Sequence, residues 1–163
     1  MFTLGVLTAS DLGARGQRVD TSGQAIQEIL EPQGFETRRR EIVPDDRSVI
    51  EARLRAWADQ DQLDLIVTTG GTGFGSRDVT PEATLAVVER LAPGLPEAMR
   101  LQSAKLTPMA MLSRAVAGVR GRTLIVNLPG SPASVRECLE VLLPVLPHAL
   151  DTLKGQERGH PGH

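Results

Sequence analysis

The residue pattern best suited to chemistry in this chain is an apolar strand that ends in glycine and restarts as a proline-led helix, and it occurs twice. Leu63 to Ala83 reads LDLIVTTGGTGFGSRDVTPEA, and Thr123 to Glu137 reads TLIVNLPGSPASVRE. Proline suits the first helical position, where its missing N–H costs nothing and its fixed φ already matches the helix. The residue before it, Thr80 or Ser131, can cap the open N–H groups. Helix starts of this kind present unpaired donors and the positive end of the helix dipole, a natural phosphate site. Glycines let the backbone approach a ligand closely, because no Cβ stands in the way. In an open α/β sheet both turns fall along the carboxyl edge of the strands, where ligands bind. A glycine-rich turn after one strand is also what an ordinary tight turn looks like, so the pair carries more weight than either turn.

Acids stand close to these turns. Asp78 sits within the first candidate phosphate site, and a carboxylate there repels phosphates unless a cation intervenes, which implies Mg²⁺. Two blander readings stay open: an Arg77–Asp78 surface pair, or a loop-capping aspartate. Asp45 and Asp46 follow Pro44 at the start of another helix; capping is assigned to Asp46, which leaves Asp45 free. The familiar nucleotide motifs fit poorly. A Walker loop closes on Gly-Lys-Ser/Thr, whereas this one runs Gly75-Ser76-Arg77-Asp78. A dinucleotide fingerprint runs straight into its helix and is followed by a strand ending in an acid. Here Val79-Thr80-Pro81 delays the helix, and Leu91 onward (LAPGLP) does not read as a strand.

The elements that must position these residues follow from periodicity. Phe2 to Thr8 and Leu63 to Thr69 read as buried strands. Ser10 to Gly23 (SDLGARGQRVDTSG) reads as a long functional loop, followed by a helix through Ala25, Ile26, Ile29 and Leu30 that Pro32 and Gly34 stop. Phe35 to Val43 reads as an edge strand, its Arg38-Arg39-Arg40 run solvated or gripping an anion. Val49, Ile50, Leu54, Trp57 and Ala58 mark the inner face of the next helix, and Thr84, Leu85, Val88 and Leu91 that of the helix after Pro81. A further helical stretch covers Pro96 to about Ser113. Val116 to Val119 and Thr123 to Leu128 flank a hairpin at Arg120-Gly121-Arg122. Pro144 and Pro147 must kink or split the last helix. Strands alternating with helices predict a three-layer α/β/α fold: a mostly parallel sheet with helices on both faces, plus a small hairpin.

Composition narrows the function classes. At 163 residues the chain suits one domain, taken as 1–155, with a polar tail at 156–163 expected to be disordered. The net charge of −2 and the 2% aromatic content argue against general nucleic-acid binding and against base stacking on rings. A single cysteine, Cys138, excludes an internal disulfide and a multi-thiolate zinc site, and reads as a buried structural thiol. His148 reads as packed in the last helix, while His160 and His163 in the tail are weak metal candidates. The start of the chain shows no signal peptide and no apolar run can span a bilayer, so a cytoplasmic location and no membrane partner are expected.

At these same residues the chain resembles the molybdopterin adenylyltransferase family, the MogA/MoaB-like proteins that also form a domain of gephyrin. The matching segments are Ser10-Asp11, Asp20-x-Ser22-Gly23, Pro44-Asp45, Thr69-Gly70-Gly71-Thr72-Gly73, Arg77-Asp78-x-Thr80-Pro81-Glu82-Ala83, Leu112-Ser113-Arg114 and Asn127-Leu128-Pro129-Gly130-Ser131-Pro132. As an ordered set they are specific, although no single piece is. The resemblance implies transfer of AMP from ATP to the terminal phosphate of molybdopterin with release of pyrophosphate. It places the family's two important acids on Asp45 and Asp78, here given the role of holding Mg²⁺ on the ATP phosphates, and its active-site serine on Ser113. Gly70, Gly71, Thr72, Gly73 and Ser131 would bind nucleotide, and Ser10, Asp11 and Ser113 the pterin. Position 131 varies within the family, so its backbone N–H is the part carried over; Phe74-Gly75-Ser76 also departs from other members. The resemblance further implies a homotrimer and a downstream molybdenum insertion protein as a possible partner. The alternative on the same fold is a noncatalytic molybdopterin-binding or scaffolding module, and a generic nucleotide-binding regulator is a third reading.

Overall fold

Strand β3 (Leu65–Thr69) is buried at every residue and lies inside the sheet, paired in parallel with β1 (Phe2–Ala9) on one side and β6 (Thr123–Leu128) on the other. The computed structural model describes residues 1–155; the expectations placed on 156–163, including His160 and His163, lie outside them. Strand β2 (Phe35–Val43) adds to β1 in parallel as the edge. β5 (Ala117–Arg120) and the two-residue β4 (Arg90–Leu91) close the other side antiparallel, giving the order β2-β1-β3-β6-β5-β4. Side chains alternate across each strand, so one sheet generates two cores. Leu4, Val6, Leu65, Val67, Leu124, Val126 and Leu128 face helices α2 (Thr21–Leu30), α5 (Gly94–Ala104), α6 (Pro132–Leu142) and α7 (Leu146–Leu153). Leu7, Ala9, Ile66 and Ile125 face α3 (Arg47–Asp59) and α4 (Thr80–Val87). The three-layer, mostly parallel architecture is the one the alternating pattern requires.

Local chemistry explains the element ends. Asp46 caps α3 by accepting from the N–H groups of Ser48 and Val49, and Ser131 caps α6 by accepting from Ser134 N–H. Pro144 lies in the break between α6 and α7, and Pro147 in the first turn of α7. Cys138 is buried against the first core, and burial pushes its thiol pKa up, as suits a structural residue. Arg38 and Arg39 pair with Glu36 and Asp61 on the solvated edge, and Arg40 reaches Asp20.

Several sequence expectations need correction. The segment from Ser10 to Gly23 is not one loop: Ser10 Oγ accepts from Gly13 N–H to start a single-turn helix, α1 (Asp11–Ala14), and Asp20 caps α2 from Thr21. Val79, not a capping Thr80, precedes α4; the Thr80 hydroxyl instead donates to the Gly70 carbonyl at 3.0 Å. Leu85 is exposed rather than inward, on the outer face of α4, whose buried side is Ala83, Thr84 and Val87; α4 stops at Val87 as Val88 turns extended, so Leu91 lies beyond the helix and is exposed too. Arg90–Leu91 pairs with Val119 and Gly118, a strand too short to leave an alternating signal. The stretch from Pro96 to Ser113 divides at Pro108 into α5 and a 3₁₀ turn, Pro108–Leu112.

Asn127 is fully buried and ties this frame together. Its Nδ2 donates to the hydroxyls of Thr68 and Thr84, each at 2.9 Å, and its Oδ1 accepts from Val116 N–H at 3.2 Å. Asn127→Ala is expected to destabilise the fold by about 2–4 kcal/mol, since the buried Thr68 and Thr84 hydroxyls and the half-buried Val116 N–H each lose a partner. Urea denaturation measures this as a lower midpoint at unchanged slope.

Candidate functional site

The chain leaves β1 through α2 to β2, then returns through α3 to β3 on the other side of β1. The two crossovers lie on opposite faces of the sheet, so the carboxyl ends of β1 and β3 splay around a crevice, the switch point where open α/β sheets take ligands. A cavity of about 370 Å³ occupies it.

Both glycine turns reach this cavity. Gly70 and Gly71 leave β3 with φ of +88° and +71°. A side chain at Gly70 would run into the Ala9 carbonyl, and one at Gly71 into the Thr80 hydroxyl, so each position demands glycine on sterics as well as dihedral. The second turn packs against the first: Gly70 N–H donates to Leu128 O at 3.3 Å, and Thr69 Oγ1 donates to Pro129 O at 2.6 Å. Ser22 on α2 donates to Gly130 O at 2.5 Å, which holds the second turn to the helix after β1.

The acids are arranged as a chain. Asp11 and Asp45 exchange bonds, each N–H donating to the other's carboxylate at 3.0 and 2.9 Å. Arg77 grips Asp11 through two bonds of 3.1 and 3.0 Å, so the expected alternative of an Arg77–Asp78 pair is replaced by Arg77–Asp11. That guanidinium, followed by the Asp45 N–H, holds the Asp11 carboxyl below the usual carboxylate range. Asp45 goes the other way. Burial pushes its pKa up, helped by the negative charges of Asp11 and Asp78 and only partly offset by the Asp11 N–H. Asp45 is therefore not free as expected, since it anchors α1, but it remains an under-neutralised carboxylate facing the cavity. Asp78 accepts from Gly75 N–H at 2.8 Å, a loop-capping bond that leaves it on the cavity wall.

Of the residues singled out in sequence, Ser10, Asp45, Gly70, Gly71, Asp78 and Ser131 line this one cavity, with Asp11 bonded to Asp45 just behind it. Thr72, Gly73 and Ser113 do not line it. Thr72 is buried, and its carbonyl and that of Gly73 accept from Arg114. Ser113 borders a separate recess of about 20 Å³ beside Met99, Pro129 and Cys138. Sequence reasoning named Asp20 only within the matching segment Asp20-x-Ser22-Gly23, with no site role, and did not single out Arg18; both line the cavity, and Arg18 is the one cationic side chain among the lining residues. The helix-cap pattern Asp20 to Gly23 could have placed Asp20, but nothing local marks Arg18.

Asp45 and Asp78 offer hard oxygen donors suited to a divalent cation. Among the described residues no group of three or more metal-ligating side chains exists. An ion held here would take the rest of its shell from phosphate oxygens and water, the habit of Mg²⁺ rather than of a protein-caged metal. The donor set fits a cation that arrives with its phosphates.

Sheet order, crevice and paired glycine turns define a doubly wound α/β domain with a cavity at its switch point. Residues 5–148 match the family described as probable molybdopterin binding domain. The chain is 48% identical over 157 residues to a molybdopterin adenylyltransferase of Helicobacter pylori, covering 93% of this chain and 88% of that one. It is 39% identical to gephyrin of Dictyostelium discoideum, covering 96% of this chain and 23% of that protein. The crystal structure of a molybdopterin biosynthesis enzyme, MoaB of Thermus thermophilus, superimposes with a TM-score of 0.90 at 57% identity, covering 95% of this chain and 98% of that one. The chain belongs to this molybdenum cofactor biosynthesis family. Among the described residues no helix is long and apolar enough to cross a membrane.

Proposed function

We propose that this protein is a molybdopterin adenylyltransferase: it binds ATP with Mg²⁺ and molybdopterin in the switch-point cavity and joins AMP to the pterin's terminal phosphate. The observation that carries this reading is the convergence of both glycine turns with Asp45 and Asp78 on one cavity. In the reaction a terminal phosphate oxygen of molybdopterin forms a bond to the α-phosphorus of ATP. The bond from that phosphorus to the bridging oxygen breaks, and pyrophosphate leaves with the electron pair. No protein nucleophile is required, so the residues act by positioning and by stabilising charge.

The backbone N–H groups of Gly71 and of Ser131 at the α6 start, both on the cavity lining, supply donors for phosphate oxygens. Asp45 and Asp78 orient the metal-bound triphosphate, and the ion when present neutralises charge on the α-phosphate and the leaving group. Ser10 and Asp11 border the same crevice and are assigned to the pterin side, with Ser113 as a contribution from the neighbouring recess. Arg18, on the lining of the same cavity, adds a positive charge for the second phosphate-bearing substrate. The exposed apolar side chains Leu101, Leu106, Met109, Met111 and Leu112, all on α5 and the segment through the 3₁₀ turn after it, support self-association and hence the expected homotrimer. A cytoplasmic location and hand-over to a molybdenum insertion protein complete the proposal.

The test is pyrophosphate release from ATP, Mg²⁺ and molybdopterin. Wild type is expected to release pyrophosphate only when all three are present. Molybdopterin binding without turnover would overturn the catalytic reading in favour of a binding module.

A further inference from the structure

We infer that Arg114 is the positioning residue for Asp78, a role that rests on the proposed reading of Asp78 as a contact to metal-bound triphosphate. Arg114 follows the 3₁₀ turn Pro108–Leu112 and lies outside the cavity lining, yet it binds the glycine-rich loop and the helix after it at four places. Its main-chain N–H donates to Thr72 O at 2.8 Å, and its Nε to Gly73 O at 2.8 Å. One terminal nitrogen donates to Asp78 O at 2.8 Å. The other spans both carboxylate oxygens of Glu82, in the first turn of α4, at 3.0 and 2.8 Å. A single planar guanidinium thus fixes the loop before Asp78, at Asp78 and after it.

Apart from Arg114, the loop is held by the Arg77–Asp11 pair and by Thr80, whose hydroxyl donates to Gly70 O and whose N–H donates to Gly71 O. Phe74, its large apolar residue, is 71% exposed, and the Arg77 side chain is 64% exposed. The Asp78 carboxylate is tied within the loop, to Gly75 N–H, so its direction into the cavity depends on where the loop itself is pinned. Arg114 pins the Asp78 carbonyl, and Glu82 orients Arg114. Lysine cannot reproduce this, because a compact ammonium cannot reach divergent acceptors in one plane.

The experiment is calorimetric ATP binding to the full chain, with Mg²⁺ and with EDTA, for wild type, Arg114→Lys, Glu82→Gln, Asp78→Asn and the Arg114→Lys/Asp78→Asn double variant. Wild type is expected to bind ATP more tightly with Mg²⁺. Arg114→Lys is expected to lose about 10–100-fold of Mg²⁺-dependent affinity, the usual effect of removing a group that orients a metal contact, with affinity in EDTA unchanged. Glu82→Gln, which leaves the arginine in place, is expected to lose less in the same direction. Arg114→Lys should add nothing to Asp78→Asn, because both act through one carboxylate. Equal losses with and without Mg²⁺, or full additivity with Asp78→Asn, would overturn the role and leave Arg114 a stabilising residue. Wild-type Mg²⁺ enhancement that survives in Arg114→Lys overturns the positioning role alone. No enhancement in wild type overturns the functional reading and this role together.

Discussion

Asp78→Asn and Asp45→Asn are each expected to slow pyrophosphate release about 100–1,000-fold, the range seen when one electrostatic contact to a developing oxyanion is lost. Both variants should fold, because asparagine keeps an acceptor oxygen for Gly75 N–H at position 78 and for Asp11 N–H at position 45. The two should differ in stability. The Asp45 carboxyl is pushed above its ordinary pKa by burial and by the charges of Asp11 and Asp78. A raised folded-state pKa means that ionising the group costs stability as pH rises through the raised value. Asp45→Asn is therefore expected to melt at a higher temperature than wild type at neutral pH. The gap should shrink as the pH falls to the usual carboxylate range, where Asp45 is already neutral. Thermal melts across that pH series, run without nucleotide or divalent cation, give the readout. A lower Tm for Asp45→Asn at neutral pH would show that the carboxylate is not under-neutralised.

Gly70→Ala is expected to be as damaging to binding as the aspartate changes are to turnover. A left-handed φ of +88° strains any side chain, at a cost on the order of 1–3 kcal/mol. The new Cβ would also overlap the Ala9 carbonyl, so either the end of β1 or the glycine turn must shift. Since Gly70 N–H and Leu128 O join the two turns, that shift separates the donors that converge on the cavity. Loss of measurable ATP binding, together with a lowered denaturation midpoint, is the expected outcome. Gly34→Ala serves as the control: its φ is +95° but nothing stands within 4 Å of the new Cβ. It should show the stability loss and keep ATP binding. If Gly70→Ala binds ATP normally, the turn is an ordinary tight turn.

Much of this fold was legible in sequence because its signals are local. The apolar run LIVTT, the glycine turns and the Asp46 and Ser131 caps announce themselves within a few residues. So does the hairpin at Gly121, where φ is +57°. What stayed hidden depends on residues far apart in the chain. Asp45 looks idle until α1 brings Asp11 to it across 34 positions. Arg77 sits beside Asp78 in sequence but bonds 66 positions away. Arg114 enters the sequence reading only within Leu112-Ser113-Arg114, because its bonds to Gly73, Asp78 and Glu82 span 41, 36 and 32 positions. Leu91 misled in the opposite sense, since a helical period persisted past the point where Val88 turns extended, and Leu85 misled because it sits on the outer face of α4. The candidate site was half visible: the glycines and acids could be named, but the place of Arg18 on the cavity lining, and the separation of Ser113 from the cavity, could not.

The most direct measurement is a crystal structure of the protein grown with a non-hydrolysable ATP analogue and Mn²⁺, with the metal located by its anomalous signal. The expected result is one Mn²⁺ bridging triphosphate oxygens to the carboxylates of Asp45 and Asp78, with phosphates against the N–H groups that follow Gly70 and Gly130. Phosphates seated elsewhere, or a metal bound away from both aspartates, would contradict it.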